Sequence, residues 1–200
     1  MRLVGAHLPY WDGSTKLMQS TYWTKVPGEA GYAWHQDESY VPTRDKSLTS
    51  IWVALEDATL ENGCLWVVPG SHRMGFMYPS RRTQSPKFQS HHPECYGFDL
   101  DKAVPLEVTT GTVVVFNGYL LHSSGMNAST RTRKSFGLHL CNSWCVLPWR
   151  IEGGTHAWAD DRGIVSVSGI DPYFWKGSRK MGSPIFVWSD SDLGASDAIH

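Results

Sequence analysis

Trp34-His35-Gln36-Asp37 is the stretch around which the whole chain is read. On a strand, side chains alternate with period two, so a His and an Asp two residues apart project from the same face. One imidazole and one carboxylate placed that way can grip the same ion. A third ligand is expected at the end of the apolar run Gly111-Thr-Val-Val-Val-Phe-Asn-Gly-Tyr-Leu-Leu-His122. Two His and one carboxylate on one side of a metal leave the opposite positions open. A bare His-x-Asp is also an ordinary hydrogen-bonded pair. Its meaning therefore depends on a fold that carries His122 to it.

The surrounding sequence predicts such a fold. Thr21 to Val26 is β-branched and aromatic, hence a strand closed by Pro27-Gly28, and Tyr32 to Asp37 reads as a second strand. Leu48 to Leu55 is a third, with Trp52 and Ala54 on one face and Ile51, Val53 and Leu55 on the other. Glu61-Asn62-Gly63 is a turn before Cys64 to Val68, a strand stopped by Pro69-Gly70. Val104 to Val108, Thr112 to Phe116 and Arg131 to Leu140 complete the set. Helical periodicity is absent. Many short strands with Gly and Pro turns predict a mainly β protein, a jelly-roll barrel in which distant residues converge on one inner wall.

Residues 73–102 are too long for an ordinary connection, which predicts a lid or a partly disordered segment. Arg73, Arg81, Arg82 and Lys87 make it basic, as a solvated loop or a recognition element for an acidic substrate. His72 reads as structural, and His91 and His92 as solvent-facing. After Pro148 regular pattern is lost, and packed Trp-rich loops are expected up to a small, acidic end.

Two hundred residues suit one domain, with a core over about 21–145 and an irregular segment over 146–200. A net charge of −1 without long charged runs argues against nucleic acid and membrane surfaces as partners. Four Cys without a C-x-x-C pair read as thiols of a reducing compartment. No apolar run reaches the roughly 18 residues of a membrane span, and no leader pattern opens the chain, so a cytoplasmic protein is expected. Ten Trp, eight Tyr and seven Phe suit both a core and the walls of a pocket for a small organic substrate. The oligomeric expectation is a monomer or homodimer.

His122 is followed by the tight polar loop Ser123-Ser124-Gly125-Met126-Asn127 and then by Arg131-Thr132-Arg133-Lys134. Arg131 and Arg133 share a face by parity. A guanidinium pointing into a barrel requires an anionic partner. A dicarboxylate that chelates the metal with one end would present its other carboxylate to such an Arg. Metal and arginine then belong to one chemistry, that of the non-haem Fe(II) oxygenases with two His and one carboxylate.

Trp34 to Asp37, Glu61 to Leu65, Val68 to His72, and Leu121 to Asn127 through Arg133 together resemble the phytanoyl-CoA dioxygenase family, in order from about Trp23 to His139. The resemblance implies an Fe(II)- and 2-oxoglutarate-dependent oxygenase on a double-stranded β-helix. It would use O2 to hydroxylate a small organic metabolite with release of succinate and CO2. It further implies His35, Asp37 and His122 as iron ligands and Arg133 as the partner of the distal carboxylate of 2-oxoglutarate. Ser124 would assist Arg133, while Gln36 and Trp52 would line the cosubstrate pocket; Arg131 is the alternative arginine if the register slips by two. Asp37 occupies the position that a halogenase leaves empty for chloride, which points to hydroxylation. Relatives carry a longer N-terminal region than the 34 residues before His35. The chain is then a minimal or truncated member, or its Trp-rich tail replaces part of that support. The rival reading is a non-catalytic β-barrel of the same fold that binds a metal or ligand without turnover.

Overall fold

A computed structural model describes residues 13–43, 45–90, 93–145 and 165–172. It is mainly β, with no α-helix among the described residues and three single-turn 3₁₀ segments at Asp37–Ser39, Ser71–Met74 and Leu100–Lys102. The strands in chain order are β1 (Thr15–Lys25), β2 (Thr49–Ala54), β3 (Leu65–Val67), β4 (Ser80–Arg82) and β5 (Pro93–Cys95). They continue as β6 (Val104–Leu106), β7 (Val113–Asn117), β8 (His122–Ser124), β9 (Arg133–Asn142) and β10 (Val165–Ser168). No helix among them is long and apolar enough to cross a membrane.

The larger sheet has the order β10-β1-β9-β2-β7, and the smaller one β6-β3-β8. Every named pairing is antiparallel. Trp52 and Ala54 from β2 pack with Leu65 of β3, flanked by Leu106, Val114 and Phe116, so one core cluster joins the two sheets face to face. This is the two-layer arrangement that the alternating apolar strands require, because each sheet must bury its apolar face.

β9 is the spine of the larger sheet, hydrogen-bonded to β1 on one side and β2 on the other. Its alternation is strict at the start: Arg133, Ser135, Gly137 and His139 are buried, while the residues between them are half-buried. Cross-strand register converts this into rows on the inner wall. Lys25 lies opposite Arg133, Gly137 opposite Trp52, and His139 opposite Ser50, with Phe116 of β7 opposite Ser50 in turn. Gly137 is needed in its row because a Cβ there would stand 2.3 Å from the ring of Trp23.

Two expectations are corrected, and the 73–102 segment, read as a lid or partly disordered, contains ordered structure. Tyr32 to Asp37 is not a regular strand: Gly31 and His35 make isolated bridges, to Phe88 and His122, and Asp37 opens a 3₁₀ turn. Residues 73–102 have regular structure of their own in the β4–β5 hairpin. Hydrogen bonds from Cys95 N to Trp34 O (2.7 Å) and from Gly31 N to Lys87 O (2.8 Å) tie that segment to the metal-binding stretch. Within the tail, Val165–Ser168 is not a loop but an edge strand on β1, because the start of β1 offers an unpaired side. His91, His92 and most of the Trp-rich tail lie outside the described residues.

The turn before β3 sets how closely the smaller sheet meets the loop after β8. Gly63 has φ +80°, and a Cβ there would lie 2.3 Å from the carbonyl oxygen of Gly125. Gly70, also left-handed at φ +82°, has open space where its Cβ would be. Gly63→Ala is expected to cost roughly 3–5 kcal/mol, left-handed strain plus a backbone clash, against about 1–2 for Gly70→Ala. Urea midpoints of the two variants check this; equal losses would show that the contact with Gly125 gives way freely.

Candidate metal centre

His35 and His122 exchange both backbone hydrogen bonds, His35 N to His122 O at 2.9 Å and His122 N to His35 O at 3.1 Å. Directly opposed residues of such a pair send their side chains to the same face. The two imidazoles accordingly stand with ring centroids 4.1 Å apart. Each ring is fixed in the same way. Nδ1 of His35 lies 2.6 Å from the carbonyl of Ala33, and Nδ1 of His122 lies 3.0 Å from that of Leu120. A carbonyl only accepts, so both Nδ1 atoms carry the proton and both Nε2 lone pairs face the centre.

The carboxylate arrives from the 3₁₀ turn. Oδ1 of Asp37 is 3.6 Å from His35 Nε2 and 3.4 Å from His122 Nε2. The three ligand atoms all lie within 4.8 Å of one another, on buried residues. Oδ2 points the other way, to the hydroxyl of Ser50 and to Nε2 of His139 at 3.2 Å. Tyr40 donates its hydroxyl to Oδ1. Oδ2 is thus committed to the sheet, and Oδ1 is the atom offered to an ion beside two nitrogen donors.

Burial pushes the Asp37 carboxyl up, but the imidazoles of His122, His139 and His35 together outweigh it and hold the group well below the ordinary carboxylate range. A cation among the ligands favours the same ionised form. The neighbouring Glu38 behaves oppositely. Burial raises its carboxyl to about 7 against the hydrogen bonds from Thr43, so it carries much less negative charge near the centre.

A second group of residues lies along the inner wall toward the other end of β9. Arg133 is 3% exposed, and its Nε and Nη1 atoms have no hydrogen-bond partner. Its guanidinium sits 5.5 Å from the centre of the Trp52 ring, so the two expected pocket residues meet. A buried guanidinium with orphaned donors requires an anion. Arg131, the alternative arginine, is exposed. Ser124 Oγ accepts from Lys25 Nζ and from Tyr32 N, each at 3.1 Å. Both acceptor sites are then used, leaving its O–H to donate.

Gln36 is placed differently. Its amide donates to Phe76 O at 3.2 Å and Tyr119 O at 2.8 Å, and accepts from Tyr78 N at 2.8 Å. It ties the start of the 73–102 segment to the metal stretch, and its polar atoms are spent there. His72 is exposed. His139, Ser50, Tyr40 and Lys25 went unread in the sequence. Parity from Arg133 through His139 was a usable signal; the contacts of Ser50 and Tyr40 with Asp37 depend on strand register and on the turn, and left none.

The sequence model of the family described as phytanoyl-CoA dioxygenase matches residues 3–135. Phytanoyl-CoA dioxygenase 1 of Oryza sativa subsp. japonica is 42% identical over 140 residues, covering 66% of this chain and 48% of its own length. Phytanoyl-CoA dioxygenase of Arabidopsis thaliana is 37% identical over 139 residues, with the same two coverages of 66% and 48%. The chain therefore spans about half the length of these curated relatives. Among solved structures, ThoJ, a non-heme monooxygenase, superposes with a TM-score of 0.66 at 21% identity, covering 85% of this chain and 58% of that one; this likeness speaks for the fold. EvdO2 from Micromonospora carbonacea var. aurantiaca, solved with 2-oxoglutarate, superposes with a TM-score of 0.52 at 26% identity, covering 66% of this chain and 55% of that one. With a family match over most of the chain and two buried histidines and an aspartate converging on one point, this protein belongs to the phytanoyl-CoA dioxygenase family.

Proposed function

We propose that the chain is an Fe(II)- and 2-oxoglutarate-dependent oxygenase that hydroxylates an unactivated C–H bond of a small organic metabolite. The observation that carries the reading is the pairing of a His-Asp-His centre with a buried, orphaned guanidinium on the same inner wall. His35, Asp37 and His122 would hold the iron, and Arg133 the distal carboxylate of 2-oxoglutarate. Such a centre, when bound, supplies the coupling of 2-oxoglutarate decarboxylation to insertion of one O2-derived atom into a C–H bond, with succinate and CO2 as co-products. EvdO2, crystallised with 2-oxoglutarate, supports the choice of cosubstrate.

The chain's own residues divide the remaining work. Ala33 and Leu120 hold the proton on each Nδ1, so both imidazoles present lone pairs. Ser50 and His139 hold Oδ2 of Asp37 and keep the carboxylate a single-atom donor. Trp52, Phe116 and Trp23 make the wall apolar and exclude water. The carboxylate of Asp37 fills the place that chloride would need, which favours hydroxylation over halogenation. Arg81, Arg82 and Lys87 on the exposed face of the 73–102 segment favour an acidic substrate.

His122→Ala is expected to abolish stoichiometric Fe(II) binding while leaving the circular dichroism spectrum near that of the wild type. Unchanged iron content in the purified variant would sink the ligand assignment. His139→Ala removes a partner of Asp37 without removing a ligand, and a loss of about 10–100-fold in metal affinity is expected. Metal titration under anaerobic conditions decides it, and wild-type affinity would show that Ser50 and Tyr40 suffice to orient the carboxylate. Arg133→Ala is expected to raise the 2-oxoglutarate requirement by about ten-fold or more, since a buried charge-assisted pair is worth roughly 2–5 kcal/mol. Arg131→Ala should leave it unchanged. The reading as a whole is tested by 2-oxoglutarate consumption with iron, ascorbate and a panel of small acids.

A further inference from the structure

Lys25 ends β1 directly opposite Arg133 in the antiparallel register, so two cations face each other across one rung of the sheet. Like charges in that position repel and destabilise the pairing. Both are buried, Lys25 at 2% exposure and Arg133 at 3%. Neither forms an ion pair with a carboxylate among the described residues. Lys25 Nζ donates to Ser124 Oγ at 3.1 Å and to the carbonyl of Gly125 at 2.7 Å. That leaves one of its three N–H groups to give. Arg133 contributes orphaned Nε and Nη1 donors, and Ser124 an O–H whose acceptor sites are already filled. Two buried positive charges and three kinds of unspent donor thus lie together on one wall. One Lys25 N–H, Nε and Nη1 of Arg133 and the Ser124 O–H make four donors, matching the roughly four lone-pair sites of one carboxylate.

We propose that Lys25 is the second cationic ligand of the 2-oxoglutarate distal carboxylate, sharing that group with Arg133 and holding the Ser124 hydroxyl in line toward it. The inference rests on the cosubstrate reading above and adds to it a residue from the strand that precedes the metal motif. Desolvation in this pocket, reinforced by Arg133, lowers the Lys25 ammonium to about 8. The groups facing it are Arg133 on β9, Glu29 and Tyr32 on the segment after β1, and Cys64 before β3. Burial raises the Cys64 thiol to about 11 and the Tyr32 hydroxyl above its usual value, so Lys25 loses its proton before either. An anion stabilises the charged amine, so affinity for it is highest below about 8 and falls as pH rises through that value.

The test is equilibrium binding to the Fe(II)-loaded protein without oxygen, comparing 2-oxoglutarate with pyruvate, a 2-oxo acid that lacks the distal carboxylate. Lys25→Met is expected to weaken 2-oxoglutarate by about ten-fold or more, the effect of a lost hydrogen bond to a charged group, while pyruvate and iron affinities stay within about two-fold. Lys25→Arg should recover most of the loss. The fall in 2-oxoglutarate affinity with rising pH should be present in the wild type and absent in Lys25→Met. Equal 2-oxoglutarate affinity in wild type and Lys25→Met overturns the proposal. An equal loss for both 2-oxo acids also overturns it and makes Lys25 a support for the Ser124–Gly125 loop. A wild type that binds iron but no 2-oxoglutarate overturns the cosubstrate reading itself, an outcome distinct from the other two.

Discussion

Two backbone hydrogen bonds exchanged between His35 and His122 carry the rest of this structure. They join a stretch without regular strand structure to β8, and by doing so oppose two residues 87 positions apart. Because opposed residues of an antiparallel pair share a face, the imidazoles have no choice but to stand side by side. The Asp37 carboxylate needs only a single turn of 3₁₀ structure to reach them. The close approach of the loop after β8 depends on glycines on both sides. A Cβ on Gly31 would lie 2.0 Å from the Ser124 carbonyl oxygen, and one on Gly63 would meet Gly125. Metal centre, Ser124 hydroxyl and Gly125 carbonyl are therefore positioned by one crowded junction.

The inner wall of the larger sheet shows how a barrel separates two kinds of polar work. At one end of β9, Nε2 of His139 is held by Asp37, and its row with Ser50 and Phe116 supports the metal centre. At the other end, Arg133 and Lys25 form no ion pair with a carboxylate among the described residues. Between them Gly137 and Trp52 supply a rung with no charge at all. The spacing matters physically. Uncompensated cations placed next to the imidazoles would oppose metal binding, whereas a separation along the strand leaves room for a molecule with charge at each end. A buried rung of like charges costs stability, as expected where function and folding pull in different directions.

The 73–102 segment connects this wall to the outside. Its β4–β5 hairpin is joined to the metal stretch by backbone bonds from Gly31 and Cys95, and by the Gln36 amide to Phe76 and Tyr78. Exposed Met74, Phe76, Met77, Tyr96 and Leu100 make much of its surface apolar, with Arg81 stacked over Tyr96 at 5.1 Å. Gln36, between His35 and Asp37, thus ties the segment and the geometry of the centre to one side chain.

By itself the sequence determined that the protein is β-rich, that His35, Asp37 and His122 belong together, and that an arginine after the second histidine faces inward. Those features are local: period-two alternation, turn residues and short spacings survive in one dimension. It did not determine that Tyr32 to Asp37 leaves the strand, because backbone pairing depends on which edge is available. Nor did it reveal Lys25 opposite Arg133 or Ser50 opposite His139, since register between strands more than 80 residues apart is a property of the assembled sheet. Gln36 shows the same limit from the other side: the family resemblance implied a pocket position, while the amide's partners lie 40, 42 and 83 residues away. What tertiary structure alone decided is which polar groups found partners from within, the Gln36 amide and Nε2 of His139, and which buried donors did not, Nε and Nη1 of Arg133. Only the packed wall excludes the water that would otherwise have answered all of them alike.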